Sequence, residues 1–437
     1  MIKTPQWLLL PLGMGLSLWF LVVSLAMVGA PTKAQSPPVT GAALNRPQDP
    51  VIVTGANLTA HGGAPINELV LYAYQAGAWM PIPFQIDERT NDITGTYVIS
   101  DDGLLDANDE LVFMAADTGD SVNNNSNWPN DAAAQAYPRY AIRVSDPLSP
   151  GSEAWAYLYR SPTLTRTNNT YLTWNQAAQI VTATSYIAAF DPANFLGLAD
   201  LKLNGNPADI LDRQKIRAKP PIFPTFTEES LRAFIPPTIT LSIVGPVRAV
   251  RNDSALNLAL YGSRLDFDVS FDLSTLGGIS LQFIRNSLDL NPVMSGSTYY
   301  DSNTAIATIN GITDTVPTTP RVDWYQVISN TGPGGFVLTV PNINPSGGTI
   351  SNYYRDNSAT DLTDTGDQKS FGDAGLRIDT PGQLIKLTLV TYILPPSITT
   401  NVGATYFNQV KNPLMATTAI QRFGFNFDTF LPIILKN

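Results

Sequence analysis

The sequence predicts an all-β fold, an antiparallel β-sandwich with a few short helices, and three observations carry that expectation. Apolar and polar side chains alternate along many short segments. In Leu265-Asp-Phe-Asp-Val-Ser-Phe-Asp-Leu273 the apolar residues fall on one face and Asp or Ser on the other, the pattern of a half-buried antiparallel strand. Gly and Pro, 31 and 34 of the 437 residues, break the chain too often for long helices. Strands recur with turn signals between them and without intervening helical periods, which excludes a parallel α/β sheet.

The elements follow in order. Residues 1–34 read as a signal peptide: Lys3 precedes an apolar run from Trp7 to Ala30, and Val28-Gly-Ala30 and Thr32-Lys-Ala34 both suit signal-peptidase cleavage. The run is also long enough to act as an uncleaved signal anchor. Either form puts the body outside the cytoplasm, secreted or at the cell surface, with no membrane span in the mature chain unless the signal is retained. Residues 35–50 form a Pro-rich linker. Residues 51–165 form an N-terminal β module, with strands at Glu68–Tyr74, Trp79–Asp87 and Glu110–Met114 and a hairpin of Tyr140–Val144 with Trp155–Tyr159. Residues 166–420 form a large β-sandwich, with strands at Ile180–Ala188, Ile239–Val250, Leu256–Leu260, Leu265–Leu273, Ser280–Leu290, Trp324–Ile328, Gly335–Val340 and Leu384–Leu394. Two short helices are expected within it. One runs from an Asn206-Pro207 cap to Arg217, and the other spans Thr227–Ile235. Residues 421–437 are an apolar tail, either a last edge strand or a sorting tag, and too short to cross a bilayer.

Composition bounds the chemistry. Charged residues are 14% of the chain, against roughly 25% in average soluble domains. The net charge of −10 argues against nucleic acid as a partner. There is no Cys and one histidine, His61, so lipid anchoring at a cysteine and soft-metal sites lack their ligands. His61 sits in a turn-like Thr-Ala-His-Gly-Gly-Ala-Pro. No Gly-x-Ser-x-Gly elbow and no phosphate-binding glycine loop occurs.

Two segments carry chemistry. The first gathers Asp101, Asp102, Asp106, Asn108 and Glu110 within a short stretch, and such a loop could supply the about six to eight oxygens that calcium takes. It departs from the EF-hand pattern: counted from Asp106, Leu111 stands where Gly is needed and Asp117 where Glu is needed. The alternative is a turn whose Asp and Asn side chains cap backbone N–H groups. The second, Tyr353 to Asp373, is expected as a long loop. It offers Tyr353, Tyr354, Arg355, Asp356 and Asp361 as a ligand site, because aromatic faces and planar polar groups suit sugar rings.

Pro83-Phe-Gln-Ile-Asp-Glu88, with Asp101-Asp-Gly-Leu-Leu-Asp-Ala-Asn-Asp-Glu-Leu-Val-Phe113, resembles a module of uncharacterised exported bacterial β-rich proteins, and Gly245-Pro-Val-Arg-Ala-Val-Arg251 resembles a strand start of the same group. Some of these are similar to the galactose-mutarotase-like supersandwich. The resemblance implies a large two-sheet fold and assigns no catalytic residue, since the second block lacks the histidines that mutarotases use. The expected function is binding of extracellular carbohydrate, or another surface component, without catalysis. One alternative is a polysaccharide lyase or glycoside hydrolase, which requires Tyr353, Arg355 and one or two of Asp323, Asp356 and Asp361 to converge. The other is a structural envelope protein, marked by an open edge strand or a large apolar patch.

Overall fold

Period-two alternation and frequent chain breakers do produce sheets, and every ladder among the described residues is antiparallel. The computed structural model describes residues 44–90, 95–99, 101–190, 197–231, 241–252, 256–276, 278, 280–314, 316, 322–330, 332–344 and 347–424. The leader, most of the linker and residues 425–437 of the tail lie outside them.

In chain order the first elements are β1 (Pro50–Thr54), β2 (Leu69–Gln75), β3 (Ala78–Pro81), β4 (Phe84–Asp87), β5 (Glu110–Met114), helix α1 (Ala132–Ala136), β6 (Arg139–Ser145) and β7 (Glu153–Arg160). A meander follows, of β8 (Leu172–Asn175), β9 (Ile180–Ala183), β10 (Tyr186–Phe190) and β11 (Leu198–Leu203). Next come β12 (Leu211–Lys219), β13 (Phe226–Thr227), α2 (Glu228–Leu231), β14 (Ile243–Val244), β15 (Ala249–Asn252), β16 (Leu256–Leu260), β17 (Arg264–Asp272) and β18 (Phe283–Leu290). The last are β19 (Thr298–Asp301), β20 (Ile306–Thr308), β21 (Trp324–Ile328), β22 (Gly335–Asn344), β23 (Thr349–Asn357), β24 (Ser370–Asp379), β25 (Leu384–Leu394), α3 (Gly403–Lys411) and β26 (Met415–Gln421).

Two sandwiches result. In the smaller, the sheet β1-β5-β4 packs on the sheet β26-β6-β7-β2-β3. Its core joins Val51, Val53, Phe84, Leu111 and Phe113 to Leu69, Leu71, Ile142, Val144, Ala156 and Leu158. The larger packs the sheet β13-β12-β18-β24-β23 on the nine-stranded sheet β14-β15-β16-β17-β25-β22-β21-β19-β20, with the meander contributing to the same core. Leu288, Leu290, Tyr354, Ala374 and Leu376 meet Leu258, Leu265, Tyr325, Phe336, Leu389 and Ile393 there. Each fully buried Leu, Ile or Phe there contributes roughly 1.5–3 kcal/mol. All five residues of β5 are buried, because Val112 and Met114 pack outward on Tyr171, Val247 and Tyr261 while Leu111 and Phe113 pack inward.

Several expected elements are corrected. Asn206–Arg217 is not a helix. Asn206 Oδ1 accepts from Ala208 N at 2.9 Å and so forms a turn, and Leu211–Lys219 is a strand with Arg213, Lys215, Arg217 and Lys219 on one face. Trp79–Asp87 is two strands in different sheets, divided by Pro81 and Pro83. Ile180–Ala188 is a hairpin turning at Thr184 and Ser185. The segment ending at Val250 is a hairpin turning around Gly245 and Pro246, with residues 239 and 240 outside the described set. Of the helix expected over Thr227–Ile235, Glu228–Leu231 is helical and the rest lies outside the described residues. The boundary at 165/166 does not separate the chain either, since β26, from the far end, completes the smaller sandwich by pairing with β6 from Met415↔Ser145 to Gln421↔Arg139.

Candidate functional site

The acidic stretch around residue 105 does not gather into a metal cage. Glu110 is taken by cations: Arg248 Nη2 lies 2.5 Å and Arg89 Nη1 2.9 Å from its oxygens, and Tyr97 OH donates to it at 2.9 Å. Asn108 turns its amide to the carbonyls of Arg89 and Thr90, at 3.0 and 2.8 Å. Asp101 and Asp102 are exposed, and Asp102 caps Leu104 N at 2.8 Å. Asp106 is partly buried on the turn whose N–H groups Asp109 holds. The conspicuous motif residues instead build a buried clamp. Gln85 Oε1 accepts from Val247 N and Arg248 N at 2.9 and 2.8 Å, and Arg248 Nε donates to Asp87 at 2.7 Å. Pro83–Glu88, Glu110 and Gly245–Arg251 therefore meet in space as the joint between the two sandwiches.

The aromatic-acidic segment is corrected from loop to strand over Tyr353–Asp356, and the pleat divides its residues. Tyr354 faces the core, its ring 4.4 Å from that of Tyr299. Asp356 is fully buried on the same side and accepts from Asn310 N, Gly311 N and Gly372 N at 2.7, 2.9 and 3.0 Å, which anchors a neighbouring turn. Asp361 is in the loop after β23 and accepts from Thr363 N at 3.0 Å. Asp323 precedes β21 in the other large sheet. The convergence required for a lyase or hydrolase at these residues is absent. Only Tyr353 and Arg355 share the outer face of the five-stranded sheet, both partly exposed.

That outer face holds a charged centre of which the sequence flagged only the Tyr353–Asp373 segment and none of the β12 and β18 residues. β12 contributes Arg213, Lys215 and Arg217, and β18 contributes Arg285, Ser287 and Asp289. β24 contributes Asp373 and Arg377, and β23 contributes Tyr353 and Arg355. Lys215, Asp289 and Asp373 are each 0% exposed. The Lys215 ammonium lies 2.7 Å from Asp289 Oδ2 and 2.8 Å from Asp364 Oδ2, and it also donates to the Lys369 carbonyl. Arg217 pairs with Glu228 and, at 2.5 Å, with Asp364. Asp289 is held above the usual carboxylate range by burial first and by the Asp373 charge second, against the pull of Lys215. The Arg285 guanidinium stacks 4.2 Å over the Tyr353 ring and stands 3.7 Å from Asp373. Gly375 lies between Ser287 and Tyr353 in the ladders, where a Cβ would fall 2.1 Å from Asn286 O, so glycine permits this strand spacing.

Apart from Asp289 Oδ2, which the Lys215 ammonium reaches at 2.7 Å, four buried polar atoms at this centre have no hydrogen-bond partner among the described residues: Arg285 Nε, Ser287 Oγ and both carboxylate oxygens of Asp373. Buried donors and acceptors are nearly always satisfied by protein or by ordered water, whose place a ligand hydroxyl can take. Asp212, Asp289 and Asp367 bring carboxylate oxygens within 4.8 Å of one another, and Lys215 supplies the positive charge beside them. No helix among the described residues is long and apolar enough to cross a membrane.

Fold and site together define an antiparallel β-sandwich protein with a mixed-charge, partly unsatisfied centre on one sheet face. No family model and no curated protein matches the chain. Among solved structures it is similar to an alpha-mannosidase from Enterococcus faecalis V583, at 11% identity and a TM-score of 0.35, over 89% of this chain and 48% of that one. It is also similar to an uncharacterized Listeria monocytogenes EGD-e protein in complex with alpha-D-glucose, beta-D-glucose, magnesium and calcium. That likeness is at 8% identity and a TM-score of 0.16, over 61% of this chain and 28% of that one. The chain spans about half the length of the first of these.

Proposed function

We propose that this protein binds carbohydrate outside the cytoplasm, on the outer face of the five-stranded sheet, with Tyr353, Ser287 and Asp373 as the contact residues. One observation carries this function: four hydrogen-bonding atoms without partners, two donors and two acceptors, beside a partly open aromatic ring. A sugar offers hydroxyls that both donate and accept, and a C–H face that packs on a ring. Its hydroxyls match Arg285 Nε, Ser287 Oγ and the Asp373 oxygens together, which a purely anionic or purely apolar ligand does not. Arg285 stands 3.7 Å from Asp373 with its side chain 12% exposed, and sugar binding here requires it to change rotamer, as interfacial side chains commonly do. Lys215 and the arginines carry the positive charge of the face.

The test is a glycan array on the full chain followed by calorimetry on the glycans retained. Tyr353→Ala and Asp373→Asn are each expected to weaken binding about tenfold or more, with circular dichroism unchanged. An array with no retained glycan, or variants that bind as the parent does, sinks the proposal.

A further inference from the structure

We infer that the ligand is an acidic sugar whose carboxylate is recognised by Arg355; this rests on glycan binding at Tyr353 and names the class of glycan. The cations of the outer face are otherwise spoken for. Arg213 lies 2.9 Å from Glu229, Lys215 2.7 Å from Asp289, Arg217 2.5 Å from Asp364, Arg285 3.7 Å from Asp373 and Arg377 2.7 Å from Asp379, while Lys219 at the strand end donates to the Phe223 carbonyl at 2.9 Å. Arg355 makes no hydrogen bond and no ion pair among the described residues, although it is the ladder partner of Asp373 and follows Tyr353 by two residues on the same face. A chain with 36 acidic and 26 basic residues has ample carboxylates to neutralise its arginines, and here leaves one partly exposed guanidinium with no carboxylate in ion-pair contact among the described residues, Asp361 acting on it only at longer range.

The guanidinium is a planar fork whose two parallel N–H groups match a carboxylate, and it stays charged at every physiological pH. A neutral sugar seated on the Tyr353 ring would satisfy the hydroxyl-binding atoms and leave Arg355 unused. A uronate in the same seat places an anion on the ring that bears the hydroxyls, so Tyr353, Asp373 and Arg355 each meet a different part of one residue. The class assigned is therefore a polysaccharide of uronic acids, and the recognition is non-covalent.

The experiment compares a panel of oligouronides (galacturonate, glucuronate and mannuronate) with their methyl esters, which keep the ring and remove the charge, by calorimetry on the full chain. The acids are expected to bind roughly 10- to 100-fold more tightly than the esters. Arg355→Gln is expected to abolish that difference while leaving ester binding intact, and Arg355→Lys to restore part of it. Esters that bind as tightly as acids, or an Arg355→Gln protein that still prefers acids, overturn carboxylate recognition and leave glycan binding standing. If neither acids nor esters bind but the array retains neutral glycans, the acidic class alone is overturned; if nothing is retained anywhere, both inferences fall.

Discussion

Asp117 and His61 are buried titratable groups with opposite effects on stability. Asp117 is 2% exposed, with Tyr171 OH donating to it at 2.9 Å, and burial pushes its carboxyl up to about 7. Its folded value lies above its unfolded one, so the stability it contributes is full in acid and is lost as pH rises through about 7. Replacing it by Asn, which still accepts from Tyr171, is expected to raise stability at pH 8 by about 4 kcal/mol and to leave it unchanged at pH 3. His61, against the Tyr140 ring with centroids 5.3 Å apart, is brought down to about 4 by burial. Its folded value lies below its unfolded one, so its contribution is full above about 6.5 and is lost as pH falls toward about 4. His61→Phe should remove an acid-side loss of about 3 kcal/mol. Urea unfolding from pH 3 to pH 8 checks both, and a parent-like pH profile in either variant contradicts the burial assignment.

At the scale of elements, the clamp between the sandwiches is the most exposed to a single change. Arg248 bridges Asp87 and Glu110 while 3% of its side chain reaches solvent, so Arg248→Met leaves the buried Asp87 carboxylate without a cation and Glu110 with Arg89 alone. A loss of about 3–5 kcal/mol is expected in denaturant titration, insensitive to added calcium. A loss under about 1 kcal/mol would mean that water replaces the guanidinium. The clamp also marks what the sequence could yield. The acidic spacing of Asp101–Glu110 was plain, but its partner Arg248 lies 138 residues from Glu110, and no local pattern reports a contact at that distance. Strands with strict alternation, such as β17, or with both faces apolar, such as β21 and β25, were legible because burial alone dictates their pattern. β12 was not, because its cap-like Asn206-Pro207 and dense charges imitate a helix start, and only its neighbour β18 makes it a strand. The charged centre was missed for a related reason. Lys215 and Asp289 are single polar residues at outward strand positions, which ordinarily face water, and the segment after β23 that packs over them is distant from both in sequence. Tyr353 and Arg355 were found through their local company, yet that company, Tyr354 and Asp356, points the other way.

For the whole molecule, the chain crosses between sandwiches at both ends of the described region. Arg46 is 4% exposed and reaches Asp49 at 2.6 Å, Asp146 at 3.1 Å and the carbonyls of Gln409 and Asn412 at 2.7 Å each. Asp49 in turn accepts from Arg264 at 2.9 Å and Tyr392 OH at 2.7 Å. The smaller sandwich is thereby fastened to β17, β25 and α3 of the larger. One cooperative thermal transition is expected, with tryptophan fluorescence and far-ultraviolet circular dichroism melting together. Two separated transitions would show that the sandwiches unfold independently.

The position of β26 has a consequence for the order in which the polypeptide matures. Strand β6 is made early, but its outer neighbour is some 280 residues downstream, with Arg139 opposite Gln421. A nascent chain emerging at about 5–20 residues per second leaves that edge bare for tens of seconds. Whatever escorts the chain during synthesis must keep β6 from pairing with a stranger until β26 arrives to cover it.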